Sequence, residues 1–281
     1  MKKHIYILFL IPFLFTNCEE VVEDFNTNET NPQIVIEAKV LSESDSAYVL
    51  ISKTGNYMDA KDFPPVSNAL ISLKYDNKNI TIPEISKGTY AVSADFTENT
   101  EYEILINVEN ETYTAKSQII TTPKIDFVNI LPHPYSMFIG ENTENEYFMI
   151  NFFLNDNAEA ENYYRLRITK NDTTFNSSFD LFLINDEVIN GQTFEYSLMQ
   201  YAFEEDDTVK LELFSIDKAN YIYYTTFKEA MSTTGNFSVP DNPKTNFNPY
   251  VLGHFEAASI VDTTIIIKPT FYNANFGENI Q

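Results

Sequence analysis

One cysteine occurs in the 281 residues, Cys18, and it stands where an apolar run at residues 5–15 gives way to polar sequence. The run, within MKKHIYILFLIPFLFTNCEE, follows Lys2 and Lys3. It is too short to cross a bilayer as a helix, which takes about 20 apolar residues. Basic start, short apolar core and polar exit form the pattern of a secretory signal peptide, expected over residues 1–17. An ordinary signal ends in small residues of the Ala-x-Ala kind, whereas Phe15-Thr16-Asn17-Cys18 stands here. The chemistry expected of Cys18 is therefore acylation of its thiol as the first residue of the mature chain, rather than that of a buried or incidental cysteine. No disulfide can form within the chain, so the exported part must be held by its core alone.

Leu14-Phe15-Thr16-Asn17-Cys18 resembles a bacterial lipobox, with leucine at the fourth place before the cysteine where the third is usual. Two or three acyl chains would fix the protein to a membrane at about 0.8 kcal/mol per buried methylene. The stretch EEVVEDFNTNETNPQ is acidic, rich in Asn and Thr and without periodicity, so residues 18–32 read as a lipidated flexible tether. Glu19 and Glu20 resemble the acidic export signals of Bacteroidetes lipoproteins, which implies an outer-membrane location facing the cell exterior.

The remaining chemistry-bearing types do not converge. His4 leaves with the signal, and His133 and His254 stand far apart without companion motifs, so no metal site is expected. His254, beside Gly253 in a strand, reads as a packed residue. Gly-x-Ser-x-Gly is absent, and seven glycines leave no phosphate-cradling loop. The run Glu204-Glu205-Asp206-Asp207 lacks the alternation and central glycine of a calcium loop and reads as a solvated turn. No catalytic residue, cofactor or enzyme activity is expected. Four Asp-Ser/Thr-apolar-like tripeptides, with acceptors Ser46, Thr173, Thr208 and Thr263, resemble the O-glycosylation sites of exported Bacteroidetes proteins; chance is the alternative, since Asp and Thr favour turns.

Net charge is −23, and loss of Lys2 and Lys3 takes it to about −25. A polyanion of this size is repelled by nucleic acid and by anionic headgroups, so nucleic-acid binding is disfavoured. Aromatic residues make up 15% of the chain, with 23 Phe, 18 Tyr and no Trp, a level suited to β-sheet cores and to faces that contact sugars or peptides.

From Gln33 onward the apolar period is two. QIVIEAKVL, AYVLISKT, ALISLKY, ITIPEI, TYAVSAD and the hairpin EYEILINVE/TYTAKSQII predict an immunoglobulin-like β-sandwich over residues 33–122. Residues 123–281 predict a second, mainly β domain through DFVNIL, YFMINFFLND, NYYRLRITK, FDLFLIND, TFEYSLM, TVKLELFSI, VLGHFEAAS and DTTIIIK. One segment departs from the period. In DKANYIYYTTFKEAMST, Tyr221, Tyr224, Phe227 and Met231 recur at helix spacing behind Asp217, predicting an amphipathic helix near 217–232 laid across the second sheet with its stripe in the core. The fold class is thus all-β, in two domains with one helix.

NPQIVIEAKV, FPPVSNALISLKY, KGTYAV, TEYEILINVENETYTAKS, TTPKID, EEDDTVKLELFSIDKANYIYY, PDNPKTNF and VLGHFEAAS, in this order and spacing, resemble domain-of-unknown-function family 4249 of Bacteroidetes lipoproteins. His254 departs from the Leu-Gly-x-Phe pattern, where an aromatic is commoner. The resemblance implies an outer-membrane lipoprotein often encoded beside TonB-dependent receptors, acting as a ligand- or partner-binding accessory to such a transporter; it implies no catalytic residues. The alternative is a structural or adhesive surface spacer. Residues 234–250 carry Phe237, Phe247 and Tyr250 among prolines and asparagines, the composition of a stiffened recognition loop for a small molecule, peptide or glycan.

Overall fold

The computed structural model describes residues 32–55, 63–121, 124–134, 146–155, 161–185, 191–232, 241–268 and 274–275. The expected signal peptide, Cys18, Glu19, Glu20 and Phe237 lie outside the described residues, as does all of the expected tether except Pro32.

The first half supplies β1 (Ile34–Leu41), β2 (Ser46–Lys53), β3 (Leu70–Tyr75), β4 (Lys78–Thr81), β5 (Glu84–Ser86), β6 (Thr89–Ser93), β7 (Thr100–Val108) and β8 (Glu111–Ile119). Period-two patterning fixes which faces are buried. Along β7, Thr100, Tyr102, Ile104, Ile106 and Val108 point inward while the residues between them are half-buried or exposed. Hairpin turns fall at Asp76-Asn77 and Glu109-Asn110, all four residues with positive φ, the geometry that lets a two-residue loop follow the strand twist. The second turn lies one residue earlier than Asn110-Glu111, the two residues left between the segments EYEILINVE and TYTAKSQII of the expected hairpin.

The second half supplies β9 (Lys124–Pro132), β10 (Phe148–Asn155), β11 (Tyr163–Lys170), β12 (Thr173–Thr174), β13 (Phe182–Asn185), β14 (Thr193–Ser197), β15 (Thr208–Ile216), the helix α1 (Lys218–Ser232), β16 (Leu252–Ile266) and β17 (Ala274–Asn275). VLGHFEAAS and DTTIIIK, expected as two strands, form the single fifteen-residue β16.

That strand organises the molecule. Its first part, 252–258, runs parallel to β1; its second part, 259–266, runs antiparallel to β15. One nine-stranded sheet results, in the order β12-β11-β15-β16-β1-β2-β6-β5 with β13 also on β11. The sheet β4-β3-β7-β8 faces its N-terminal half around a core of Ile36, Ile51, Leu73, Tyr90, Tyr102 and Phe255, among others. The sheet β14-β10-β9-β17 faces its other half around Ile150, Phe152, Leu166, Phe203, Leu211 and Leu213. The fold is therefore all-β and sandwich-like, with β16 carrying one sandwich into the next. The first core draws Val251, Phe255 and Ala257 from the far end of the chain.

Gly253 makes the junction possible. It pairs with Ile36 at φ 101°, and a Cβ built there would stand 2.0 Å from the Ile36 carbonyl oxygen. Only a residue without a side chain allows β16 to approach β1 so closely.

Helix α1 starts as expected. The Asp217 carboxylate accepts from the Asn220 backbone N–H at 2.8 Å, a helix N-cap. The stripe differs in part: Tyr224 is buried, Tyr221 and Met231 are half-buried, and Phe227 is exposed with its ring stacked on Tyr223. Asn220 and Tyr224 are the buried positions, because the helix lies over polar groups as well as apolar ones.

Candidate functional site

Strand alternation sends Phe255 and Ala257 of β16 into the first core and His254 and Glu256 to the other face, beneath α1. Arg165 reaches Glu256 from β11, with Nη2 donating to Oε1 at 3.2 Å; their side chains are 8% and 0% exposed. The guanidinium lies 3.9 Å over the Phe214 ring and 4.6 Å over that of Tyr224, so aromatic faces replace the water it has lost. His254 stacks on Tyr223 at 3.9 Å between ring centroids, and its Nε2 is 3.2 Å from the Tyr224 hydroxyl. Arg165 Nε, Glu256 Oε2 and His254 Nδ1 have no hydrogen-bond partner. The carboxyl of Glu37 and the amine of Lys39 stand on the same face of the sheet, directly opposite His254 and Glu256 in the β1–β16 register.

The electrostatics follow from burial and pairing. Burial by itself would raise the Glu256 carboxyl; the charges of Arg165 and Lys39 outweigh it and hold the group at about 2. Burial pushes His254 down to about 3, against the pull of Glu256. His254 Nε2 lies 3.9 Å from Glu256 Oε2, yet at neutral pH that imidazole is uncharged, so the contact is not an ion pair. Both groups resist protonation that the unfolded chain accepts. The stability they contribute is full above pH 6.5 and declines as pH falls, through His254 from 6.5 toward 3 and through Glu256 from 4.5 toward 2. Urea melts should show a loss on the order of 3 kcal/mol between pH 7 and pH 4. His254→Gln should flatten most of that slope; an unchanged slope would mean that other groups govern acid sensitivity.

A second polar constellation lies at the start of α1. Asp217 Oδ2 accepts from Ser117 Oγ at 2.6 Å and from the Gln118 N–H at 3.0 Å, tying the helix to β8. Asn220 Nδ2 donates to Ser117 Oγ and to the Phe255 carbonyl, and Ser117 Oγ accepts from the Ala257 N–H at 2.8 Å. Above this network opens a groove of about 330 Å³ with Ser117, Gln118 and Asp217 on its floor. The ion pairs Lys116–Glu101 at 2.7 Å and Lys218–Glu161 at 3.3 Å form its rims.

The residues singled out by sequence are scattered. Phe247 is a correction: at 5% exposure it belongs to the first core instead of a recognition loop, because Asn248 pairs with Thr114 of β8 through two backbone bonds and draws its neighbour inward. Tyr250 is 58% exposed. Asp207 is a second correction, since it is buried instead of solvated. Its carboxylate takes the Lys170 ammonium at 2.7 Å, the Asn171 amide and the Glu204 N–H, and so closes its own turn. His254 is packed, as expected. His133 is buried elsewhere, its Nε2 at 2.8 Å from the Met199 carbonyl. Among the described residues no group of three or more His, Cys, Asp or Glu is placed to hold a metal ion. Thr173 and Thr208 are exposed, whereas Ser46 and Thr263 are half-buried in strands. Sequence reading missed Arg165, Glu256, Ser117 and Asn220; Arg165 and Glu256 alternate with the core residues of YYRLRITK and GHFEAAS, so the strand period alone reads them as solvated until the helix covers that face.

Two sandwiches sharing one strand, with a helix seated on a buried ion pair, define an all-β, sandwich-like protein. The description Domain of unknown function (DUF4249) matches residues 19–264, and the chain belongs to that family. Comparison with curated proteins finds no match. Among solved structures the chain is similar to a chain of a 1.5-MDa bacterial ice-binding adhesin, at 10% identity and a TM-score of 0.20. That alignment covers 84% of this chain and 64% of the adhesin chain, and at such a score it carries no argument.

Proposed function

We propose that the protein is a lipid-anchored binding accessory on the outer face of the outer membrane, with a TonB-dependent transporter as its partner and no enzymatic step of its own. The observation that carries the binding reading is the groove at the start of α1. Its floor combines β8 of the first half with the helix cap of the second, and the Ser117–Asp217–Asn220 network fixes both. Preorganised polar groups of this kind lose little freedom on contact with a partner. The anchor reading rests on the apolar run before Cys18, and the outward orientation on Glu19 and Glu20. Modification of the exposed Thr173 or Thr208 would fit such a location. A stiff surface spacer is the second reading, favoured by the sheet that runs unbroken through both halves.

One experiment bears on both parts. The full chain, Cys18→Ser and Gln118→Trp are expressed in the native cell, fractionated, and purified from solubilised membranes. The full chain is expected in the detergent phase together with a transporter; Cys18→Ser should leave the membrane fraction. Gln118→Trp should stay in the membrane and lose the transporter. Retention of Cys18→Ser in the detergent phase would overturn the anchor, and a full chain that brings down no transporter would overturn the accessory role in favour of the spacer.

A further inference from the structure

Strand β8 is the edge of its sheet, and hairpin geometry decides which of its main-chain groups meet β7. Glu109 and Asn110 close the turn between Val108 and Glu111, so the odd-numbered residues of β8 exchange hydrogen bonds with β7. The even-numbered ones turn their N–H and C=O groups outward. Much of that edge is covered by the chain itself. Thr114 exchanges both of its bonds with Asn248, at 2.8 and 2.7 Å. The Lys116 carbonyl accepts from Asn246 Nδ2, the Gln118 N–H donates to Asp217, and the Ile120 carbonyl accepts from Ser259 Oγ. The Gln118 carbonyl and the Ile120 N–H follow each other along the edge and have no hydrogen-bond partner among the described residues. Both residues line the groove beside α1, Gln118 exposed and Ile120 half-buried.

We infer, resting on the groove as the docking site proposed above, that it receives an extended segment of the partner polypeptide, which adds to β8 as a parallel strand. In a parallel ladder one residue donates its N–H to the carbonyl before the residue it faces and accepts at its own carbonyl from the N–H after it. Gln118 and Ile120 flank Ile119 in that relation. An ionic ligand finds little here. The Asp217 carboxylate already accepts from Ser117 Oγ, the Gln118 N–H, and both the backbone N–H and Nδ2 of Asn220. Each rim pairs an ammonium with a carboxylate, Lys116 with Glu101 and Lys218 with Glu161, so a free cation or anion meets charges already answered. What remains is one acceptor and one donor in strand register, the complement of another main chain. Asn248 shows that this edge takes such a chain, since it makes with Thr114 both bonds of a ladder pair.

The test uses the full chain, solubilised from membranes, and two uncharged probes: acetyl-Thr-Val-Thr-Val-Thr-amide, a strand former, and the same peptide with every residue N-methylated. The first is expected to shift the backbone amide resonance of Ile120 saturably. The second should bind roughly tenfold more weakly or not at all, because it has no N–H to give the Gln118 carbonyl. Proline is tolerated where a strand's N–H faces outward, so Ile120→Pro is expected to fold and to bind the first peptide roughly fivefold more weakly. If Ile120→Pro does not fold, the comparison of the two peptides decides. Equal binding of the peptides, or no shift at Ile120 with either, would overturn the added strand. Loss of the transporter by Gln118→Trp but not by a folded Ile120→Pro would also overturn it, while leaving the groove as the docking site. A full chain that binds the first peptide at Ile120 and brings down no transporter would support the strand site and overturn the accessory role alone.

Discussion

Gly253→Ala is expected to lower stability by about 4 kcal/mol or more, or to abolish folding, which would place it among the most damaging single methyl additions in the chain. The new Cβ would stand 2.0 Å from the Ile36 carbonyl oxygen and 2.7 Å from its carbon, both backbone atoms inside a strand that cannot step aside. The φ of 101° adds strain that no L side chain relieves. Relaxation would require β16 to leave β1, and with it Phe255 and Ala257 would leave the first core. Gly191→Ala is the control: its φ of 73° is also positive, but it sits at an exposed turn, so the expected cost is about 1–2 kcal/mol. Denaturant unfolding of the two variants checks the comparison. A cost at Gly253 equal to that at Gly191 would mean that the parallel β1–β16 pairing is not the joint between the halves.

Much of this architecture is local and therefore legible in sequence. The β7–β8 hairpin shows strict alternation and a turn built on Asn110, and the cap at Asp217 precedes an aromatic pattern of helical spacing. The joint was hidden for a physical reason. Residues 259–264 put Ser, Asp and two Thr in the middle of β16, a composition that reads as a turn unless both flanking strands are known. Once β15 pairs with that stretch, Thr263 lies opposite Leu211 and Asp262 opposite Glu212, and the polar run becomes the rim of a sheet. Phe247 was misplaced through its neighbours: prolines and asparagines mark a loop, yet one backbone bridge to β8 decides that the ring points inward. Arg165 and Glu256 are 91 residues apart, and no local pattern links them.

Breaking that pair on one side is expected to cost about 3–5 kcal/mol, while replacing both partners costs far less than the two losses combined. Arg165→Met keeps the apolar stem against Phe214 and Tyr224 but leaves the Glu256 carboxylate fully buried without its cation. Arg165→Met with Glu256→Leu removes the unpaired charge as well, so the cycle should give a coupling of about 2 kcal/mol or more. Stability alone would not separate a lost ion pair from lost packing; pH dependence does. In a His254→Gln background, Arg165 and Lys39 still hold the Glu256 carboxyl below its ordinary 4.5, so its contribution is present above pH 4.5 and fades as pH falls. With Arg165→Met the largest charge holding the carboxyl down is gone while Lys39 remains, so the folded pKa rises from there toward its ordinary value. The gap between folded and unfolded pKa narrows, and with it the stability that Glu256 loses as pH falls. Melts of the two proteins between pH 3 and pH 7 should therefore differ in slope, the Arg165→Met protein losing less stability as pH falls. Parallel slopes would show that Arg165 does not set the charge state of Glu256.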